Sequence, residues 1–265
     1  MSETSAPAKT ALEQAKPSVR RIGLGDIGHA LAEGVRDFSR APLFGLFFGA
    51  IYAFGGWTII ALLYWLRMPY LAYPMAMGFA LVAPFVVTGV YDVSRRLQTG
   101  EPLTWSGVLG SVWGTRRKDL RWMAIVTAFA LVIWLDIAAL LFFGFLGFRP
   151  LDADLFREIF TTPSGLLFLL IGNLTGAAIA FAVFSISVIS FPMLFDRDVD
   201  FVTAMTSSVR AVTTNPLPMA VWCVTIAALL IVAIASAFVA LLVVLPVLGH
   251  ASWHLYRAVI APADA

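Results

Sequence analysis

The chain has 265 residues, of which 60% are hydrophobic and 13% charged, with a mean hydropathy of +0.88. Soluble domains carry nearer a quarter charged residues, so this composition points to a polytopic membrane protein. A net charge of only +2 argues against a nucleic-acid partner, and the single cysteine, Cys223, excludes an internal disulfide framework.

Residues 1–21 are polar, lack the apolar core of a cleavable signal and read as a disordered cytoplasmic tail. A single membrane domain follows over 22–261. Its first apolar runs cover 42–66, 71–91, 122–148 and 164–195. The last run extends without a formal charge from Leu217 to Tyr256. As one helix it would reach about 60 Å, twice the roughly 30 Å of a bilayer core. Two helices, 217–236 and 238–257, joined by a turn near Ser236, fit better.

The resulting fold class is an all-α membrane protein with six transmembrane helices. With the N-terminus in the cytoplasm, all of the eighteen basic residues except Arg67, Arg149 and Arg157 fall on the cytoplasmic side.

Three cytoplasmic segments have apolar stripes at helical spacing and are expected to be short amphipathic helices lying on the membrane surface. In 26–38 the stripe is Ile27, Leu31, Val35 and Phe38, with Asp26 as N-cap. In 104–118 it is Trp105, Val108, Leu109, Val112 and Trp113; in 200–212 it is Phe201, Met205, Val209 and Val212. The last two occupy equivalent places between spans. The aromatic–Asp pairs Tyr91-Asp92 and Phe195-Asp196, and Pro84 and Pro192, also correspond, which suggests an internal duplication. The outer loop, 149–163, reads as solvated with a short helix; its Asp152 and Asp154 lack the glycine and glutamate of an EF-hand.

Three sets of residues are candidates for chemistry. His250 and His254, in "PVLGHASWHLYR" (246–257), share a helical face, and with Cys223 they could hold a metal or haem. The alternative is that Trp253, His254, Tyr256 and Arg257 form an interfacial belt. Asp136, at mid-membrane depth, should face the bundle and find Asn173 or Thr175, because an acid at a helix centre costs at least about 2.5 kcal/mol. A proton or substrate pathway is its functional alternative. Asp92, Arg95, Arg96 and Glu101, with Asp196, Arg197, Asp198 and Asp200, are read as helix ends with interfacial ion pairs, or as a docking face. Gly172, Gly176 and Ala180 give small-xxx-small spacing for close helix packing. No nucleotide-binding loop, nucleophile elbow or zincin motif is present.

The blocks 73–102, "YPMAMGFALVAPFVVTGVYDVSRRLQTGEP", and 195–222, "FDRDVDFVTAMTSSVRAVTTNPLPMAVW", together with 246–257, resemble a family of bacterial integral membrane proteins, domain of unknown function 2189. The resemblance covers about residues 22–260. It implies a six-span-like protein of the bacterial inner membrane, and some members carry the label of a cytochrome c oxidase subunit. It brings no catalytic residue. The expectation is therefore a non-enzymatic accessory or interaction protein of that membrane, with both termini cytoplasmic and no cofactor. Its partners would be the lipid bilayer and subunits of a membrane complex, with a respiratory terminal oxidase as one such complex. A transporter or channel using Asp136, and a metal- or haem-binding protein using His250 and His254, are the alternatives.

Overall fold

Proline punctuates this chain where helices begin. The computed structural model describes residues 17–65, 85–113, 118–148 and 153–261. Helix α1 (Leu24–Arg40) stops at Ala41, and Pro42 opens α2 (Pro42–Ile60), which continues as a π-helical turn, Ala61–Trp65. Helix α3 (residues 85–99) ends on Gly100 with φ +74°, and the Glu101 amide donates to the Arg96 carbonyl in a Schellman-type cap. Next come α4 (Trp105–Trp113), α5 (Lys118–Leu146), α6 (Ala153–Thr161), α7 (Pro163–Ser187), α8 (Ser190–Asp196), α9 (Phe201–Thr214), α10 (Pro216–Ala235) and α11 (Leu241–Val259). The described residues contain no strand; one antiparallel bridge pairs Val19 with Ile260.

Four helical stretches are long and apolar enough to cross a membrane: Pro42–Ile60, Asp119–Leu146, Pro163–Asp196 and Pro216–Ala235. The run expected over 71–91 falls outside the described residues up to position 84. The division of the last run is as expected, with a turn after Ala235 in which Ala237 (φ 52°) and Phe238 (φ 68°) are left-handed. Helix α2 holds this turn, as Trp57 Nε1 donates to the Ala237 carbonyl at 2.7 Å and the Phe238 ring packs where Gly56 leaves room.

The long fourth run bends between α7 and α8. Pro192 cannot bond back to residue 188, and one turn earlier the hydroxyl of Ser208 enters the helix ladder. It donates to the Ser185 carbonyl at 2.7 Å and accepts from the Ile189 amide at 3.1 Å, replacing their direct bond.

Burial divides the molecule into two zones. At the end marked by Pro42, Asp119, Asp196 and Pro216 lies a closed core that includes Tyr91, Leu120, Met193, Trp222, Trp253 and Tyr256. We refer to this end as the cap. Away from it the spans expose large apolar side chains such as Phe54, Phe129, Leu140, Leu174 and Ile231, as expected of surface that faces lipid. Helix α11 joins the zones. Its first half runs beside α2, where Gly49 approaches Leu242 and Gly45 approaches Pro246. Beyond Pro246 it passes the start of α2 and becomes the central helix of the cap, against α1.

Two of the expected surface helices are thereby corrected. Helix α1 buries Ile27, Ala30, Gly34 and Asp37, while Val35 is 52% exposed. Helix α9 buries Ala204, Ser207, Ser208, Ala211 and Val212, and Val209 is exposed. In each, small residues make the closest approach: Ile27 and Val212 of the expected stripes are buried, and Leu31, Phe201 and Met205 pack against the core's edge. A Cβ on Gly34 would lie 2.7 Å from the Val247 carbonyl oxygen, so the α1 and α11 backbones touch. Helix α4 buries Val108 as expected and stacks Trp105 on Phe44; the Trp113 side chain lies outside the described set.

The corner between α1 and α2 recurs between α9 and α10. Ala41 (φ −134°, ψ 54°) and Asn215 (φ −127°, ψ 57°) have nearly the same backbone, and each precedes the proline that starts a span.

Candidate functional site

The polar residues of the cap converge where α1, α3 and α11 meet. Asp37, Ser94 and His250 are buried, at 2%, 0% and 0% exposure. Ser94 Oγ donates to Asp37 Oδ2 at 2.8 Å and lies 2.7 Å from His250 Nδ1. His254 Nε2 lies 2.7 Å from the same carboxylate oxygen, and its Nδ1 is 3.1 Å from Gln98 Nε2. Gln98 Oε1 accepts from Trp253 Nε1 at 3.0 Å.

Donor and acceptor capacity assigns the protons. The amide nitrogen of Gln98 can only donate, so His254 Nδ1 accepts and Nε2–H donates to Asp37. Ser94 gives its one proton to Asp37, so His250 Nδ1–H donates to Ser94. Both imidazoles are then neutral and every bond points toward the Asp37 carboxylate. Burial pushes the Asp37 carboxyl up, but the hydrogen bonds from His254 and Ser94 outweigh it and hold the group below its ordinary value. His250 Nε2 remains a buried acceptor without a hydrogen-bond partner.

Serine, histidine and aspartate invite comparison with a nucleophilic triad, but the bond order differs. In a triad the histidine lies between serine and carboxylate; here the serine lies between histidine and carboxylate, and it is fully buried. The arrangement orients and locks three helices.

Two ion-pair groups flank the network. Asp92, 1% exposed, binds Arg95 Nη2 at 2.8 Å through one oxygen and Arg96 Nε at 2.7 Å through the other. Arg95 also binds Glu101 at 2.7 Å, and Arg96 donates to the Pro102 carbonyl at 3.0 Å, tying the turn after α3 to its helix. On the second side Tyr256 donates to Asp196 at 2.7 Å and accepts from Arg197 Nε at 2.9 Å. Arg197 further donates to the Ala261 carbonyl, and Arg257 reaches Asp196 at 3.3 Å. Asp200 caps α9 through the Thr203 amide, and the hydrogen bond from the Thr203 hydroxyl, followed by that amide, holds its carboxyl below the ordinary range. Trp253 stands between Tyr91 and Phe195, at ring distances of 6.3 and 5.8 Å, so the two aromatic–Asp pairs meet across it.

Residues 71–196 match the family model described as predicted integral membrane protein, DUF2189. Over those residues, just under half of its length, the chain is similar to that family. No curated protein and no solved structure gives a significant match. The DUF2189 match contains Ser94, Gln98, the Asp92 group and Asp136, and stops at Asp196. It therefore includes the block at 73–102, only the first two residues of the block at 195–222, and none of 246–257.

In this chain the expected ligand set does not assemble. His250 and His254 share a helix face but are bonded to Ser94 and to Asp37 with Gln98, and His250 Nε2 has no thiol within reach. Among the described residues no group of three or more His, Cys, Asp or Glu is placed to hold a metal ion. Nor do Trp253 and Tyr256 form an interfacial belt. At 1% and 0% exposure they are core, because α1, α8 and the segment at Val19 close over α11.

Asp136 departs furthest from expectation. The side of α5 that meets α7 carries Thr127, Leu131, Trp134, Ala138 and Leu141, which line open grooves of about 410 and 210 Å³. Asp136 is on the opposite side and exposed, with no hydrogen bond to a described residue. Asn173 is also exposed and donates to the Leu169 carbonyl of its own helix; Thr175 is half-buried. Of the small-residue stripe, Gly176 abuts Trp134, whereas Gly172 faces open space.

Asp37, Ser94 and Gln98 were not among the residues singled out from sequence. The available signal was the 3–4–3 spacing of Ile27, Ala30, Gly34 and Asp37, which puts the acid on the helix's small-residue face.

Proposed function

We propose that this is a non-enzymatic accessory or interaction protein of a larger complex in the bacterial inner membrane, crossing it six times with both termini in the cytoplasm. The observation that carries the reading is the contrast between the two zones. Among the described residues of the cap, the buried polar side chains are bonded mostly to one another, with Trp222 Nε1 and His250 Nε2 the atoms left over. Across the spans, apolar surface and one carboxyl are left uncovered. Six crossings are favoured by the Val19–Ile260 pairing, which sets the two ends of the domain side by side, and by the basic residues clustered at the cap end. The sixth crossing would be made by α11 together with the turn before it.

A respiratory terminal oxidase is the first complex to test, since some members of the resembled family carry a label of that kind. The test is purification of the full-length tagged chain from native membranes in mild detergent, quantified by mass spectrometry against an unrelated six-span protein of equal abundance. Reproducible enrichment of the subunits of one complex is expected. Enrichment no greater than for the control would remove the reading.

A further inference from the structure

Helix α5 leaves the cap's core after Leu120, Met123 and Ala124. From Ile125 to its end at Leu146 it covers about 33 Å, close to the roughly 30 Å of a bilayer core. Asp136 is at the middle of that length. Ile125, Phe129, Ile133, Leu140 and Phe143 are all exposed and, with Asp136, recur at steps of three and four. They form one outward stripe, spaced as in the seam of a packed helix pair, with the acid at its centre.

Bare lipid is a poor environment for that carboxyl, and no described residue of this chain is bonded to it. Among the described residues, the basic residues of the candidate spans end at Arg121, next to the cap. A second copy packed by the same stripe would bring another carboxyl. The missing complement is a cation at mid-depth.

We propose that the outward stripe of α5 is a docking seam for a membrane-spanning helix of a different protein, which sets a Lys or Arg side chain against Asp136. The proposal rests on the accessory-protein reading and specifies its contact. Within the seam the apolar residues provide packing and the ion pair fixes depth and partner, because intramembrane charges are tolerated when paired.

The test uses the full-length chain in its native membrane with a photo-reactive phenylalanine analogue replacing Leu140, or replacing Leu174 on α7 as a control. The expected result is an adduct from position 140 and not from 174. Its sequenced partner should carry a membrane-spanning segment with a Lys or Arg near its centre. Asp136→Leu, which removes no contact within the described chain, should lower the adduct at least tenfold while leaving the thermal midpoint of the purified chain unchanged. Asp136→Lys should abolish it, and exchange of the partner's cation for Asp should restore it. An adduct with a second copy, a partner without a basic residue, no adduct, or one insensitive to Asp136→Leu would overturn the seam. If Asp136→Leu still co-purifies the same complex, the accessory reading survives without the seam. If wild type enriches no complex, both fail.

Discussion

Asp37 accepts from both Ser94 and His254 in a closed interior, so the network's contribution to stability depends on that carboxylate. Asp37→Ala leaves several buried polar groups without partners, and such groups cost about 1–3 kcal/mol each. We expect a clear fall in the thermal midpoint, read through Trp253 fluorescence, and a smaller one for Asp37→Asn, which keeps an acceptor. The network also sets a pH dependence. Asp37 has a folded-state value below its unfolded one, so the unfolded chain binds protons more readily and stability rises with pH. The contribution is present above the ordinary value of 3.8 and is lost as pH falls below it. Asp37→Asn should therefore flatten the decline of the melting midpoint below about pH 4. An unchanged slope would mean that Asp37 does not titrate with folding.

Among elements, the close contact of α1 with α11 is the most sensitive to side-chain size. A Cβ on Gly34 would lie 2.7–2.9 Å from the Val247 carbonyl and from Ala251, whereas one on Gly28, on the same helix, meets nothing within 4 Å. Gly34→Ala should cost about 1–3 kcal/mol by overpacking. Gly28→Ala should be neutral or stabilise by up to about 1 kcal/mol, the usual gain of alanine over glycine within a helix. Paired melting curves in one detergent check the contrast. The same logic explains why the amphipathic stripes of α1 and α9 were legible as helices but did not show the line of closest approach. Large apolar residues mark a face that can be buried, while Gly, Ala and Ser mark the face that allows backbones to touch. Only the neighbouring helix decides which face is used. In α4 the spacing served better: Val108 is buried and Leu109 and Val112 are partly buried against the same cluster, while Trp105 stays 42% exposed.

On the scale of the whole molecule, the tight end holds the chain together and the loose end meets the membrane. The six-crossing arrangement predicts that single cysteines at Ser18 and Ala261, in a Cys223→Ser background, react with an impermeant maleimide only from the cytoplasmic side. A cysteine at Phe156 in α6 should react only from the opposite side. Labelling of positions 18 and 261 from opposite sides would refute an even number of crossings.

Composition and run length determined by themselves that this is an all-helical integral membrane protein, where the four candidate spans begin and that its last run divides near Ser236. These follow from local rules, since bilayer thickness, proline and hydrophobic run length act on contiguous residues. The tertiary structure alone decided that "PVLGHASWHLYR" forms the centre of a closed cap, with its histidines bonded to Ser94 and Asp37, and that Asp136 faces outward. Those outcomes depend on residues more than a hundred positions apart being brought together, or on which side of a helix is already occupied by its neighbour. Periodicity along one segment carries neither kind of information.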